Sequence, residues 1–242
     1  MRGVIFLVFA FSVTFAYSRE KSDSTKNPLT FSGIISINSN GIAPIPSFAL
    51  GKPVISANLS VAKGRFSYDP QLSYSLEFKP WIIDNWFHYK LIRKPKFELR
   101  TGINIGSFFS DIEVNGETIR QSQRYFALEL AGTYKLSQKT SMGLMLWYDK
   151  GVDPGTIEGY FINFVVDRSD INLSKHIFLD INIQTFFVDY TSNNDGFFIS
   201  PKFSLASRKI PVSIFYQGIH SLISNIEPNP GFQWNIGIEY AF

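Results

Sequence analysis

From Leu29 to the last residue, apolar and polar side chains alternate in short blocks. A period of two is the signature of β-strands with one oily face. The last block shows it most clearly: Phe232, Trp234, Ile236, Ile238, Tyr240 and Phe242 hold one phase, and Gln233, Asn235, Gly237, Glu239 and Ala241 the other. Read the same way, the chain divides into twelve predicted strands, at 29–38, 54–66, 71–79, 81–91, 96–108, 124–136, 141–149, 159–168, 176–190, 197–206, 211–222 and 232–242. The second is the least regular. Its phase, set by Ile55, Ala57, Leu59 and Val61, slips near Lys63 and Gly64 towards Phe66 and Tyr68, which predicts a bulge. A count of ten or fourteen strands stays open on that account. Asp69 and Pro70 have turn composition. Asn115 and Gly116 predict a type I′ hairpin, so that the flanking strands run on as a ribbon through 109–123. Pro201 has no amide hydrogen to give a ladder and predicts a bulge inside its strand.

The connections fall into two classes. Those at 92–95, 137–140 and 207–210 are short; those at 41–52, 109–123, 150–158 and 223–231 are longer. That spacing suits an up-and-down antiparallel meander with short turns at one end and long loops at the other. Twelve strands with four or five large apolar residues apiece carry more oily bulk than the interior of one barrel holds. The apolar face must therefore point outward from a closed all-β barrel over 29–242, or be sealed between the two sheets of a sandwich. Aromatic residues of the apolar phase gather near strand ends (Trp81, Tyr89, Tyr134, Tyr148, Tyr160, Phe197, Phe232 and Tyr240), as in the interfacial girdles of transmembrane barrels.

The opposite phase would line the lumen. Its charged members are Asp84, His88, Lys90, Glu98, Arg100, Glu129, Asp149, Asp167, His176, Asp180, Lys202 and Glu239. Counting back from the turns pairs Lys90 with Glu98, His88 with Arg100 and Asp167 with His176, and brings Asp180 and Asn182 beside Asn163. Such charges select solutes at a constriction, or simply neutralise one another inside a filled barrel.

Targeting residues change the picture more than composition does. Arg2, the apolar run from Val4 to Phe15 and the small residues Ala16 and Ser18 make residues 1–18 an export signal, followed by a polar periplasmic leader at 19–28. Without Arg2 the chain has 22 basic and 20 acidic residues, an excess too small to point to nucleic acid. No later stretch supplies the ~20 apolar residues of a membrane helix. The terminal block, with Trp234, Tyr240 and Phe242, resembles the last strand of bacterial outer-membrane β-barrels, whose final aromatic residue is read by the barrel-assembly machinery. The resemblance implies a transmembrane barrel among outer-membrane lipids of a Gram-negative cell, with external loops placed to meet protein partners. The abundance of Phe, Ile, Asn and Lys is similar to that of Bacteroidota barrels.

Catalytic and cofactor signals are absent. The chain has no P-loop, no dinucleotide fingerprint, no HExxH and no EF-hand. With three His and no Cys, neither a cofactor nor a transition-metal site is expected, and calcium at Asp111–Glu113 or Asn193–Asp195 is weakly signalled. Outer-membrane phospholipase A is also a twelve-stranded barrel with a His-x-Ser signature. None of His88, His176 or His220 reproduces that spacing, so no catalytic residue carries over. Three functions follow as expectations: a narrow porin-like or accessory barrel, a subunit of a larger outer-membrane assembly, and a lipid-modifying enzyme probed through His220.

Overall fold

The computed structural model describes residues 27–43, 49–190, 194–226 and 231–242. The expected export signal, the expected leader up to residue 26, and the loop residues Pro44, Pro46, Ser192, Asn193, Pro228 and Pro230 lie outside the described residues.

Twelve antiparallel strands follow in order: β1 (Leu29–Asn38), β2 (Val54–Lys63), β3 (Phe66–Ser75), β4 (Pro80–Arg93), β5 (Phe97–Val114), β6 (Glu117–Lys135), β7 (Thr140–Gly151), β8 (Glu158–Asn172), β9 (Ile177–Tyr190), β10 (Asn194–Ser207), β11 (Val212–Ser224) and β12 (Phe232–Ala241). Each pairs with its chain neighbours, and β1 pairs with β12 to close the ring. Closure leaves no unpaired edge, which is what lets strands cross hydrocarbon without stranding backbone polar groups. The seam runs from Ile34 opposite Ala241 to Asn38 opposite Gly237. The last residue extends it: Phe242 and Gly33 exchange two backbone hydrogen bonds of 3.0 Å. The Phe242 ring lies over Gly33, where a Cβ would come within 2.8 Å of it, and 5.6 Å from the ring of Phe31.

The oily phase faces out, as in Leu29, Ile105, Ile162, Ile214, Trp234 and Ile238, all of them exposed. The single closed ring excludes the sandwich. This is an up-and-down transmembrane β-barrel. Loops after odd strands and turns after even strands define a long-loop end and a short-turn end. At the long-loop end β5 and β6 continue as the predicted ribbon, turning through Asn115 (φ 53°) and Gly116 (φ 82°). Both φ values are positive, as a type I′ turn requires. Arg120 pairs across the ribbon with Asp111 at 2.6 Å and ties it to the start of β4 by donating to the Pro80 carbonyl at 3.2 Å.

Four expectations are corrected. Asp69 and Pro70 are not a turn; they sit inside β3, opposite Trp86 and Asn85. The β2–β3 turn is at Gly64 (φ 66°) and Arg65, so the slip near Lys63 is a hairpin end and not a bulge. Pro201 stays in register with Ile183, and the ladder to β11 skips it without shifting; the bulge is at Phe197 and Phe198. Trp81 does not join a girdle. A register shift opposite Ser73 and Tyr74 reverses the phase of β4 there and turns Trp81 inward, 4% exposed, against Ala43 and Val54.

Candidate functional site

The interior changes character along the barrel axis, and β9 shows how. Its inward positions read Asp180, Asn182 and Gln184 towards the short-turn end, then Phe186, Val188 and Tyr190 towards the long loops. In the long-loop half, Phe161, Phe186, Val188, Phe198 and Ile219 are at most 2% exposed, covered by Ile42, Ile157 and Ile226 from the loops. Their rings form a continuous arc around the wall. Trp86–Trp147, Trp147–Phe161, Phe161–Phe186 and Phe186–Phe198 have centroid separations of 5.1, 5.1, 5.3 and 5.2 Å. These are favourable aromatic contact distances.

The short-turn half is polar and hydrogen-bonded across strands. Asp69 accepts from Ser60 (2.5 Å), Ser67 (2.6 Å) and His88 Nδ1 (2.6 Å). His88 Nε2 faces Glu129 Oε1 at 3.4 Å, long for a hydrogen bond. Glu129, whose side chain is 2% exposed, accepts from Arg100 Nε at 2.8 Å and Trp147 Nε1 at 3.0 Å. One network thus crosses β2 to β7. A buried carboxylate needs such donors, since an ion stripped of water and left unpaired costs several kcal/mol. The strand between makes room: a Cβ on Gly102 would collide with the His88 ring, and one on Gly106 with Asp84 Oδ1. Side chains of β4 therefore lie across β5 to reach β6 and β7.

Of the charges expected inside, Lys90 Nζ lies 2.8 Å from Glu98 and Lys202 Nζ 2.6 Å from Glu239, with Lys202 also 4.3 Å above the Phe215 ring. Arg100 is opposite Lys90 and meets His88 only through Glu129. Asp84 accepts from Asn104 Nδ2 at 3.0 Å, and Asp149 lines the same cavity. Besides the indirect His88–Arg100 pair, two further expected contacts do not form: Asp167 with His176, and Asp180 with Asn163. β8 runs on to Asn172 through a bulge between Arg168 and Ile171, so Asp167 meets Asn182 (2.6 Å) instead of His176. His176 is exposed in the turn after β8 and does not line the lumen. Asp180 accepts from the Asp170 amide at 2.7 Å, and Asn163 donates to Gln184 at 2.9 Å.

Tyr89, Tyr134 and Tyr240 point outward near the short-turn end, and Tyr160, Phe197 and Phe232 near the long-loop end. Tyr148 is half-buried against Tyr160, 5.3 Å away. His220 packs outside at 6.2 Å from Phe232. Among the described residues it has no hydrogen bond to a hydroxyl or carboxylate, and no group of three or more metal-ligating residues forms.

Sequence reasoning missed Asp69, because Asp–Pro imitates a turn, and the arc of Phe161, Phe186 and Phe198, because both phases are apolar there. Gly102 and Gly106 flanking inward Asn104 were a usable signal of large neighbours crossing that strand.

No protein-family model matches the chain, and a search of curated proteins finds no match. Solved structures do match. The chain is similar to the KdgM porin (TM-score 0.54, 11% identity, 87% of this chain and 99% of that one) and to the NanC porin (0.52, 9%, 87% and 99%). It is also similar to the COG4313 outer membrane channel from Pseudomonas putida F1 (0.52, 9%, 92% and 99%). At these identities the likeness establishes the fold: a closed twelve-stranded barrel of the kind outer-membrane porins use.

Proposed function

We propose that this chain is a narrow, porin-like channel of a Gram-negative outer membrane that admits small polar solutes. The observation that carries the reading is the sorting of side chains by the closed ring, with hydrocarbon-compatible residues outside and hydrogen-bonded charge inside. The inner wall holds Lys90, Arg100 and Lys202, each against a glutamate partner. Fixed lumen charges of this kind tune which solutes pass. The fold likeness to two porins and an outer-membrane channel supports the same reading. So do the export signal at 1–18 and the terminal strand, through which the assembly machinery would insert the barrel. In this reading the long loops face outward from the cell. Purified protein, shown to be folded by its heat-dependent gel mobility, is expected to give discrete conductance steps in planar bilayers. Folded protein without any step removes the channel and leaves an accessory barrel.

A further inference from the structure

Cations at the two ends of the barrel are neutralised differently. At the long-loop end Lys79, Arg120, Arg124 and Lys150 are each paired with a carboxylate, from Glu77, Asp111, Asp153 and Glu158. At the short-turn end Lys63 and Arg65, on the β2–β3 hairpin, are exposed and have no carboxylate partner among the described residues. They border a groove of about 860 Å³ on the outer wall. Leu29, Phe66 and Tyr89 make its oily side, and no Asp or Glu lines it. Asn27 closes one end against Gly64, where a Cβ would come within 3.1 Å of its Nδ2.

Strand register builds this groove. Leu29 is opposite Lys63, Lys63 opposite Phe66 and Phe66 opposite Tyr89, so one row crosses β1 to β4 on the outward phase. Leu29, Phe66 and Tyr89 are exposed. Lys63 stands between Leu29 and Phe66, a cation on the face that meets lipid. Its methylene stem can lie along the apolar wall while the ammonium reaches the head-group layer. Arg65, beyond it at the hairpin tip, is held in place: Nη1 donates to the carbonyls of Lys90 at 3.1 Å and Leu91 at 2.9 Å. The Nε and Nη2 hydrogens stay uncommitted among the described residues. A guanidinium offers a phosphate a planar fork of donors, and an ammonium adds a point charge. Aromatic rings such as Phe66 and Tyr89 suit the layer where head group meets hydrocarbon. Two cations above an oily wall match a phosphate that carries hydrocarbon chains.

We infer that this groove is a binding site for one anionic phospholipid, with its phosphate between Lys63 and Arg65 and its chains along Leu29, Phe66 and Tyr89. With the long loops facing outward from the cell, the groove lies at the inner leaflet. The inference goes beyond the channel reading and does not depend on conductance. A lipid held there spans β1 to β4, beside the seam that closes the ring.

The test is native mass spectrometry of folded, detergent-solubilised full-length protein, with dioleoyl phosphatidylglycerol and dioleoyl phosphatidylethanolamine supplied in equal amounts. Retention of phosphatidylglycerol in preference to the zwitterionic lipid is expected. Lys63→Gln/Arg65→Gln is expected to weaken that retention roughly tenfold or more, since both cations facing the phosphate are lost. Lys175→Gln/Lys209→Gln removes the same charge from two other short turns and is expected to retain the lipid as the unaltered protein does. Equal loss in the two double variants means diffuse attraction and overturns the site, and so does retention unchanged in Lys63→Gln/Arg65→Gln. Two measurements need no variant. Equal retention of the two lipids by the unaltered protein overturns the proposal, as is the outcome if Glu20 and Asp23 fill the groove instead. Glycerol 3-phosphate, which has the phosphate without the chains, is expected not to displace the lipid; displacement at equal concentration overturns the lipid in favour of a free phosphate ester.

Discussion

The two halves of the lumen solve the same packing problem in opposite ways. Towards the long loops, Phe161, Phe186, Phe198 and Ile219 fill the wall and loop residues cover them, much as a soluble core is filled. Towards the short turns, Asp69, His88, Glu129 and Arg100 are satisfied by one another across neighbouring strands. Burial in the first half gains from area removed from water, ~25 cal/mol per Å². In the second it gains little net energy and instead fixes positions, because desolvation offsets most of the attraction. The difference teaches where variation is tolerated: the apolar half is sensitive to volume, and the polar half to leaving a charge alone.

Phe198→Ala gives the largest expected effect. The side chain is fully buried, and truncation is expected to cost about 3–5 kcal/mol, measured by urea unfolding in lipid vesicles. A loss below about 1 kcal/mol would mean that the apolar half is loosely filled, since even small core truncations cost that much. Next, Arg100→Met leaves Glu129 buried with only Trp147 and His88, at a cost of about 3 kcal/mol. Adding Glu129→Gln is expected to recover most of that loss, because the penalty belongs to the stranded charge. If the double variant is as unstable as the single one, the network stabilises by packing. Outside the lumen, Ile162→Arg places a cation on the lipid face and is expected to cost about 2–4 kcal/mol in the same assay.

The twelve strands were legible because lipid and lumen demand opposite chemistry on alternate residues. β1 shows this at 29–38, where prediction and structure coincide. Legibility failed where that contrast lapsed. At Trp81 a one-residue register shift reversed the face, and alternation carries no memory across a bulge. At Phe186 and Phe187 both faces are apolar, so pattern alone cannot say that one ring faces lipid and the other is buried. The Lys90–Glu98 pair was reached by counting from a short turn, whereas the Asp167–His176 pair failed because a bulge moved the turn at that end. The cavity between Asp84 and Asp149 joins β4 to β7, and no local count connects those strands.

The smallest expected effect lies on the loop after β7. Asp153 is bound by Arg124 at 2.5 Å, and this hydrogen bond holds its carboxyl below the usual range. A depressed folded-state value means that the loop is held at neutral pH and released as pH falls through that value. Asp153→Asn is therefore expected to speed proteolytic cleavage within 152–157 at pH 7 while leaving barrel unfolding unchanged. The two proteins should converge under acidic conditions in an acid-active protease assay.

The most direct test of the partitioned barrel is a thiol-accessibility scan along β9 in liposomes, which the absence of native Cys makes clean. Single cysteines at 180, 182 and 184 are expected to react with a water-soluble, membrane-impermeant reagent supplied to both sides. Those at 186 and 188 should be shielded by the apolar packing, and those at 179, 181 and 183 by lipid. Reaction at 186 and 188 as fast as at 182 would contradict the division of the lumen, and reaction at 181 and 183 would contradict the membrane-facing exterior.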